Sequence, residues 1–230
     1  MRYAEALELQ RCVARDRITG AIPQDVLLLV EHPAVVTLGR SAKQANLVAS
    51  PEFLAARGVE LFEVERGGDI TYHGPGQLVG YPVIDLKRHK QDLHWFLRQV
   101  EEGIIRTLSR YGIPGERSKG YTGVWTGGRK VASIGVHARD WVTWHGFALN
   151  VNTDLAYFDL MVPCGIQNVE MTSIAKEIRL RGEEVPLGLS VGSVGAIAAE
   201  MFGEVFSLDP MNVPISGLAL LKSENAEKNF

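Results

Sequence analysis

Cysteine, long apolar runs and an excess of one charge are all scarce in this chain. It has two cysteines among 230 residues, and no cluster of cysteine and histidine has metal-ligand spacing. No run approaches the roughly 18 apolar residues of a membrane span. The formal net charge is −3 with both signs interspersed, which disfavours a phosphate-backbone partner. We therefore expect a soluble globular protein with no metal, no membrane anchor and no nucleic acid.

A secretory leader and a nucleotide-binding loop are also missing. The first residues, Met-Arg-Tyr-Ala-Glu, lack the apolar core of a signal peptide, so a cytoplasmic protein with free thiols is expected. The glycines of residues 74–80 are out of register with a dinucleotide fingerprint, and Arg129 after Gly128 breaks the phosphate-loop pattern of residues 123–130. The sequence therefore predicts no ATP site.

The composition that is present belongs to one globular domain. Hydrophobic residues make up 46% of the chain and charged residues 22%, and a chain of 230 residues can bury a large core without disulfides. We predict a single domain over residues 1–221 and a polar tail over residues 222–230.

Apolar periodicity predicts helices and strands in mixed order. Helices are predicted over residues 3–17, 50–58, 92–112, 172–178 and 190–201, and strands over residues 26–31, 35–38, 59–65, 81–86, 124–126, 129–136 and 141–151. Asp92 and Ser190 are predicted N-caps, Pro51 is placed at the first position of its helix, and Gly127-Gly128 at a hairpin turn. This order indicates an α+β domain with a largely antiparallel mixed sheet flanked by helices.

The most distinctive stretch is Arg-Gly-Gly-Asp-Ile-Thr-Tyr-His-Gly-Pro-Gly-Gln at residues 66–77. It places polar side chains around paired glycines and a Gly-Pro-Gly turn. Because glycine has no Cβ, such a stretch lets the backbone approach a ligand closely. From chemistry alone, an ordinary polar hairpin loop is the alternative.

Cys164 is the candidate nucleophile that the residues offer. A thiol with a pKa of about 8.5 is mostly protonated at neutral pH, and lowering that pKa to about 7 needs roughly 2 kcal/mol. An ammonium about 4 Å away, at an effective dielectric of about 20, contributes roughly 4 kcal/mol before its desolvation. Lys130, His73 and His145 are all candidate partners. From its strand position alone, Lys130 is better interpreted as an end-of-strand lysine that reaches solvent.

Four segments, in order, resemble the lipoyl/octanoyl transferases of the lipoate-protein ligase B family. They are residues 66–77 continuing through Tyr81-Pro82, Lys-Val-Ala-Ser-Ile-Gly-Val at 130–136, His-Gly-Phe-Ala-Leu-Asn-Val at 145–151, and Pro-Cys-Gly-Ile at 163–166. The match runs from about Glu31 to Ala175. Four ordered segments are far more specific than a lone glycine pattern. The resemblance implies the fold that biotin and lipoate protein ligases share.

The resemblance also implies roles for individual residues. Cys164 would be the acyl-thioester nucleophile, and Lys130 the group that lowers its pKa and relays protons. The acyl-substrate site would be lined by Arg66, Gly67, Gly68, Asp69, Ile70, Thr71, Tyr72, His73, Ser133, Ile134, Gly135, Gly146, Phe147 and Ala148. His73 and His145 are interpreted as positioning residues, with proton relay as the alternative. The backbone N–H groups of Gly165 and Ile166 are a candidate oxyanion site.

The implied reaction is a ping-pong transfer without ATP or metal. Octanoyl would pass from acyl carrier protein to Cys164, and then to a lysine on lipoyl domains of the 2-oxoacid dehydrogenase complexes or on the glycine cleavage H protein. Three alternatives stay open: an ATP-dependent lipoate or biotin protein ligase, a non-catalytic carrier-binding module, and a cysteine hydrolase using His73 or His145. Basic residues that could face an acidic carrier are Arg2, Arg11, Arg15, Arg17, Lys87, Arg88 and Lys90.

Overall fold

A computed structural model of the chain describes residues 1–166, 169–215 and 217. The helices are α1 (Tyr3–Thr19), α2 (Pro51–Ala56), α3 (Leu93–Ser109), α4 (Ile174–Leu180) and α5 (Val191–Phe206). The strands are β1 (Val26–Val30), β2 (Val35–Leu38), β3 (Glu60–Glu63), β4 (Ile70–His73), β5 (Gln77–Val83), β6 (Gly123–Thr126), β7 (Arg129–Arg139) and β8 (Val142–Asn150). The predicted tail, residues 222–230, lies outside the described residues.

The larger sheet has the strand order β1-β5-β8-β7-β6, and each pair of neighbouring strands is antiparallel. Helix α1 packs against β5 and β8, while α3 and α5 pack on each other and against β6 and β5 respectively. The predicted α+β class, with an antiparallel sheet flanked by helices, is confirmed.

A second, smaller sheet has the order β3-β2-β4, with β3 parallel and β4 antiparallel to β2. The distinctive stretch is divided between the two sheets, because β4 belongs to the smaller one and β5 to the larger one. The chain therefore crosses between sheets at Gly74-Pro75-Gly76, where Gly76 has a φ of +79°. An ordinary hairpin loop is the wrong interpretation of this stretch.

Strand β5 begins at Gln77, four residues before the predicted start at Tyr81. The polar Gln77 is tolerated in a buried strand because its side-chain amide donates to the Asn150 side chain at 2.9 Å and to the Tyr72 carbonyl at 3.1 Å. Asn150 lies directly opposite Gln77 on β8. Local periodicity could not predict this early start, because the partner of Gln77 is distant in sequence.

The predicted helix starts are confirmed by their caps. The Asp92 carboxylate accepts from the N–H of Trp95, and the Ser190 hydroxyl accepts from that of Ser193. Ser50 caps α2, whose first residue is Pro51 as predicted. The Gly127-Gly128 turn between β6 and β7 has positive φ at both glycines, as a tight hairpin of this kind requires.

Buried apolar side chains form separate clusters on the two faces of the larger sheet. One packs beneath α3 and α5 and includes Phe96 and Phe202; the other lies under α1 and includes Val13 and Val83. None of the helices in the described ranges combines the length and apolar character that crossing a bilayer requires.

Candidate active site

A cavity of about 470 Å³ lies over the central strands of the larger sheet, with β4 and the loop before it on its other side. Most of the residues assigned to a site from the sequence border it: Arg66, Gly67, Gly68, Asp69, Thr71, His73, Lys130, Ser133, Ile134, Gly135, His145, Gly146, Phe147 and Ala148. Strand β4 and the loop before it thus share one concave surface with β7 and β8, which are distant from them in sequence. This is the usual arrangement of a small-molecule site.

Strand β4 presents its two faces to different surroundings. Thr71 and His73 border the cavity, whereas Ile70 and Tyr72 pack into an apolar cluster with Phe158. Successive side chains of a strand point to opposite faces, so these two pairs lie on opposite sides of β4. Ile70 and Tyr72 therefore support the strand from behind and do not border the cavity.

Glycines that face the loop of residues 66–68, on β7 and just after β2, let the loop lie directly against both segments. A Cβ on Gly135 would come 2.6 Å from the Gly67 carbonyl oxygen, and one on Gly39 would come 2.4 Å from that of Gly68. The Gly67 N–H donates to the Val136 carbonyl at 2.8 Å. The close approach that glycine permits is here between two backbone segments, and it forms one wall of the cavity.

Arg66 secures this wall from inside. Its guanidinium donates from Nη2 to the Thr37 carbonyl at 2.7 Å and to the Thr37 hydroxyl at 2.9 Å, and from Nη1 to the Gly67 carbonyl at 3.2 Å. The side chain is buried and borders the cavity. It thereby places a permanent positive charge beside any ligand bound there.

Lys130 is fully buried, with 0% of the residue exposed. Its Nζ lies 5.0 Å from the centre of the Trp125 ring, and its backbone is bonded on both sides to the segment that holds Met171. The interpretation of Lys130 as an end-of-strand lysine that reaches solvent is wrong. The adjoining segment pairs with β7 at this point, so Lys130 does not lie at a free edge of the sheet.

Cys164 lies in a short 3-10 turn, Pro163–Gly165, and the flanking Ile166 borders the same cavity as Lys130. The backbone of Cys164 is described, but its side chain lies outside the described part, as does the predicted thiol contact with Lys130. The N–H groups of Gly165 and Ile166 donate to the carbonyls of Val162 and Pro163 at 3.0 Å each. Both amides are engaged within the turn, so the predicted oxyanion role is wrong for this conformation.

His73 is held neutral by its surroundings. Its Nδ1–H donates to the Gln77 side-chain oxygen at 2.9 Å, and its Nε2 lies 3.4 Å from the Thr37 hydroxyl. Burial lowers the pKa of His73 to about 3, and electrostatic repulsion from the neighbouring His32 and Arg66 lowers it further. A ring with both nitrogens engaged and so low a pKa fits a positioning residue.

His145 differs because its backbone is strained. Its φ is +56°, a left-handed conformation that only a few per cent of residues other than glycine adopt, and its N–H donates to the Gln10 side-chain oxygen at 3.0 Å. Burial lowers the pKa of His145, while Glu65 opposes that shift. The Nε2 atom lies 3.8 Å from Glu65 Oε1, an ion-pair separation that is too long for a hydrogen bond.

Glu65 in turn is anchored by several groups. The proximity of His145 holds the pKa of the Glu65 carboxyl well below its usual range, and hydrogen bonds from Arg11 and Trp144 act in the same direction. Arg11 reaches both carboxylate oxygens, at 3.0 and 2.7 Å. This fixed carboxylate lies next to the loop of residues 66–68, with His145 Nε2 3.8 Å away.

Two tyrosines that the sequence analysis did not select also border the cavity. Tyr3 stacks on His73 with ring centres 5.9 Å apart, and burial raises the pKa of Tyr3 to about 12. Tyr81 is buried and its hydroxyl lies 2.7 Å from His32 Nε2. Tyr81 belongs to the first of the four family-like segments, so its place at the site could have been predicted. Tyr3 lies in an ordinary amphipathic helix, and nothing in the sequence around it indicates a site.

One other sequence expectation is wrong. Arg17 is buried beside Asp25 at 3.0 Å and so cannot face a carrier protein. His89 lies 2.7 Å from the same Asp25 carboxylate with 13% of its side chain exposed. Within the described ranges, no three side chains of His, Cys, Asp or Glu lie close enough together for a metal ion.

Comparison with known proteins places this geometry in a family. A family model described as the lipoyl protein ligase A/B catalytic domain matches residues 2–187. Proteins named octanoyltransferase are similar over most of their length. The one from Rubrobacter xylanophilus is 54% identical over 80% of this chain and 82% of that protein, and the one from Acidobacterium capsulatum is 49% identical over 89% and 86%.

Solved structures show the same fold at low sequence identity. Lipoate-protein ligase A bound with ATP has a TM-score of 0.69 at 16% identity, over 92% of this chain and 85% of that one. A bipartite lipoate protein ligase from Thermoplasma acidophilum has a TM-score of 0.67 at 17% identity, over 94% and 85%. At this identity the likeness concerns the fold alone.

Proposed function

Because the chain belongs to the lipoyl protein ligase A/B catalytic domain family and is an octanoyltransferase of protein lipoylation, we propose that it works through a Cys164 acyl-thioester. The donor is octanoyl-acyl carrier protein and the acceptor a lysine side chain of a lipoyl domain. One observation carries the proposal: a fully buried lysine, Lys130, borders the same cavity as Ile166, which directly follows the turn that holds the chain's candidate nucleophile.

In the first half-reaction the Cys164 sulfur attacks the octanoyl carbonyl carbon of the donor thioester. A new carbon–sulfur bond forms, the bond to the pantetheine sulfur breaks, and the leaving thiolate takes a proton from the Lys130 ammonium. Before this step the positive charge of Lys130 favours the thiolate of Cys164. In a buried site that charge is screened less than it would be in water.

In the second half-reaction the acceptor amine attacks the octanoyl-Cys164 thioester. An amide bond forms, the Cys164 thiolate leaves, and neutral Lys130 takes a proton from the attacking amine. The enzyme then returns to its starting state. Exchange of one thioester for another is nearly balanced and conversion to an amide runs downhill, so the proposal requires neither ATP nor a metal.

The rest of the cavity binds the acyl chain in this proposal. Its apolar surface comes from Val79, Ile134 and Phe147, and the loop of residues 66–68 covers the chain from the other side. His73 and Arg66 hold this wall in place. Acceptors are expected among the lipoyl domains of 2-oxoacid dehydrogenase complexes and the glycine cleavage H protein.

The test is intact-mass spectrometry of the protein mixed with octanoyl-acyl carrier protein in the absence of ATP. Wild type should gain one octanoyl group that hydroxylamine removes and that added lipoyl domain discharges. Cys164→Ser should gain no hydroxylamine-labile group, whereas Cys12→Ser, on the partly exposed face of α1, should behave as wild type. Absence of the adduct on wild type, with transfer only when ATP and free octanoate are supplied, would indicate a ligase and overturn the proposal.

A further inference from the structure

We propose that Asn46 and Asp69 are positioning residues that hold the turn bearing Cys164 in its reactive place. The inference rests on the proposed function, because it assumes that Cys164 is the nucleophile. It concerns the backbone of the turn, Pro163–Gly165, and the two side chains packed beneath it.

The Asp69 carboxylate is surrounded by donors. Its Oδ1 accepts from the N–H of Ile70 at 2.8 Å and from that of Lys43 at 3.3 Å. Its Oδ2 accepts a short hydrogen bond, 2.5 Å, from the side-chain amide of Asn46. The carboxylate therefore joins the end of the glycine loop to the segment around Asn46.

The same carboxylate oxygen lies under Gly165. A Cβ on Gly165 would come 2.6 Å from Asp69 Oδ2 and 3.1 Å from the Asn46 amide nitrogen. Gly165 also has a φ of +66°, in the left-handed region that favours glycine. The turn thus rests directly on the Asn46–Asp69 pair, and the glycine after Cys164 is what permits the contact.

The backbone of Asn46 holds the other end of the turn. Its carbonyl accepts from the N–H of Val162 at 2.7 Å, and the neighbouring Leu47 forms an antiparallel bridge with Met161. Asn46 therefore contacts the turn through its main chain before Cys164 and through its side chain after it. The nucleophile lies between these two points of attachment.

Charge indicates that this pair positions the turn and does not activate the thiol. A carboxylate beside a cysteine disfavours the thiolate, which is the opposite of what a nucleophile needs. A displacement of about 1 Å in a reacting group can lower the rate about 100-fold. Holding the turn in place is thus a sufficient reason for the pair.

An exchange of the two side chains tests this role. In Asn46→Asp two carboxylates face each other, and the rate of octanoyl-adduct formation in a single turnover should fall about 100-fold, with little change in the donor concentration at half-maximal rate. Adding Asp69→Asn restores one amide and one carboxylate, and the double variant should recover to within about fivefold of wild type. The matched control is Gln44→Glu, the same change of charge at an exposed position of the 3-10 turn Gln44–Asn46, to which Asn46 belongs.

Circular dichroism and the thermal midpoint would show whether each variant is folded. Full activity in Asn46→Asp, or failure of the exchange to rescue a folded Asn46→Asp, would overturn the proposal. Failure of the proposed function has a different signature, because wild type itself would then form no adduct. The two hypotheses are therefore separated by the wild-type measurement.

Discussion

The two ends of the cavity differ in the kind of polar side chain that each one buries. At one end Lys130, which the proposed mechanism uses as an ammonium, is buried where the segment around Met171 pairs with β7. At the other end His73, Tyr3 and Tyr81 are aromatic and polar groups whose pKa values are all shifted by burial toward the neutral form. Six residues of strand β7, or about 20 Å at 3.3 Å per residue, separate Lys130 from Val136 beside His145.

The difference indicates a division of labour. A buried ammonium is costly to fold and is retained where chemistry uses it, whereas neutral rings, and a guanidinium bonded to Thr37 and Gly67 as that of Arg66 is, rigidify a wall. Changes at the lysine end should therefore affect the reaction and leave stability intact. Changes at the histidine end should affect stability and its dependence on pH.

The largest expected effect comes from Lys130→Met. Transfer of octanoyl to a lipoyl domain should fall about 1000-fold, because in the proposed mechanism the variant loses both the positive charge and the proton carrier. The unfolding midpoint should not fall, since methionine fills a similar volume without a buried charge. The control is Lys176→Met, a partly exposed lysine paired with Glu170, which should transfer at the wild-type rate. A large loss of stability in Lys130→Met would contradict the proposed division.

The next effect tests the sheet that joins the two ends. A Cβ on Gly146 would come 2.1 Å from the Gly80 carbonyl oxygen, so Gly146→Ala forces β5 and β8 apart. We expect a loss of about 3 kcal/mol in the free energy of unfolding, measured with urea. Gly188→Ala is the control, because a Cβ there meets nothing within 4 Å. Equal stability of the two variants would show that the strands can separate without cost.

The third effect is the pH dependence of stability. The pKa of His73 falls from 6.5 to about 3 on folding, so the unfolded chain binds a proton below pH 6.5 that the folded protein does not. Stability should therefore decrease as pH falls from 6.5 toward 3, with a contribution of about 1.4 kcal/mol per pH unit from this residue. His32 and His145, whose pKa values are also lowered by burial, act in the same direction.

His73→Asn should reduce that slope, because the asparagine amide can replace Nδ1–H as a donor but cannot be protonated. Urea unfolding between pH 5 and 6.5 measures the slope in a range above most carboxylate titration. The exposed His94→Asn is the matched control and should leave the slope unchanged. An unaltered slope in His73→Asn would mean that His73 is accessible to protons in the folded state.

Sequence patterns predicted much of this architecture because the signals were local. Helix caps at Asp92 and Ser190 and the glycine pair of the hairpin turn depend on neighbours in sequence. The start of β5 at Gln77 could not be predicted in this way, because the Gln77 side-chain amide needs a hydrogen-bond partner, Asn150, on another strand. Burial of a polar strand residue is a tertiary property that periodicity does not contain.

The same distinction holds for the site. Period-two alternation separates Ile70 and Tyr72 from Thr71 and His73, but it does not indicate which pair faces a ligand. Burial of Lys130 depends on the segment around Met171, which is remote in sequence. Asn46 carried no motif at all, since its importance arises only from its contacts with Asp69 and Val162.

The smallest expected effect, Tyr81→Phe, tests the histidine end directly. Removing the hydroxyl leaves His32 Nε2 buried without its hydrogen bond of 2.7 Å, which should cost about 1 kcal/mol in the free energy of unfolding. The matched control is Tyr121→Phe. Tyr121 also borders the cavity but is 49% exposed, so this variant should unfold as wild type. Transfer by Tyr81→Phe should fall far less than that by Lys130→Met, because no proton moves through Tyr81. A loss of transfer comparable to that of Lys130→Met would indicate that residues at both ends of the cavity take part in the reaction, and would contradict the division of labour between them.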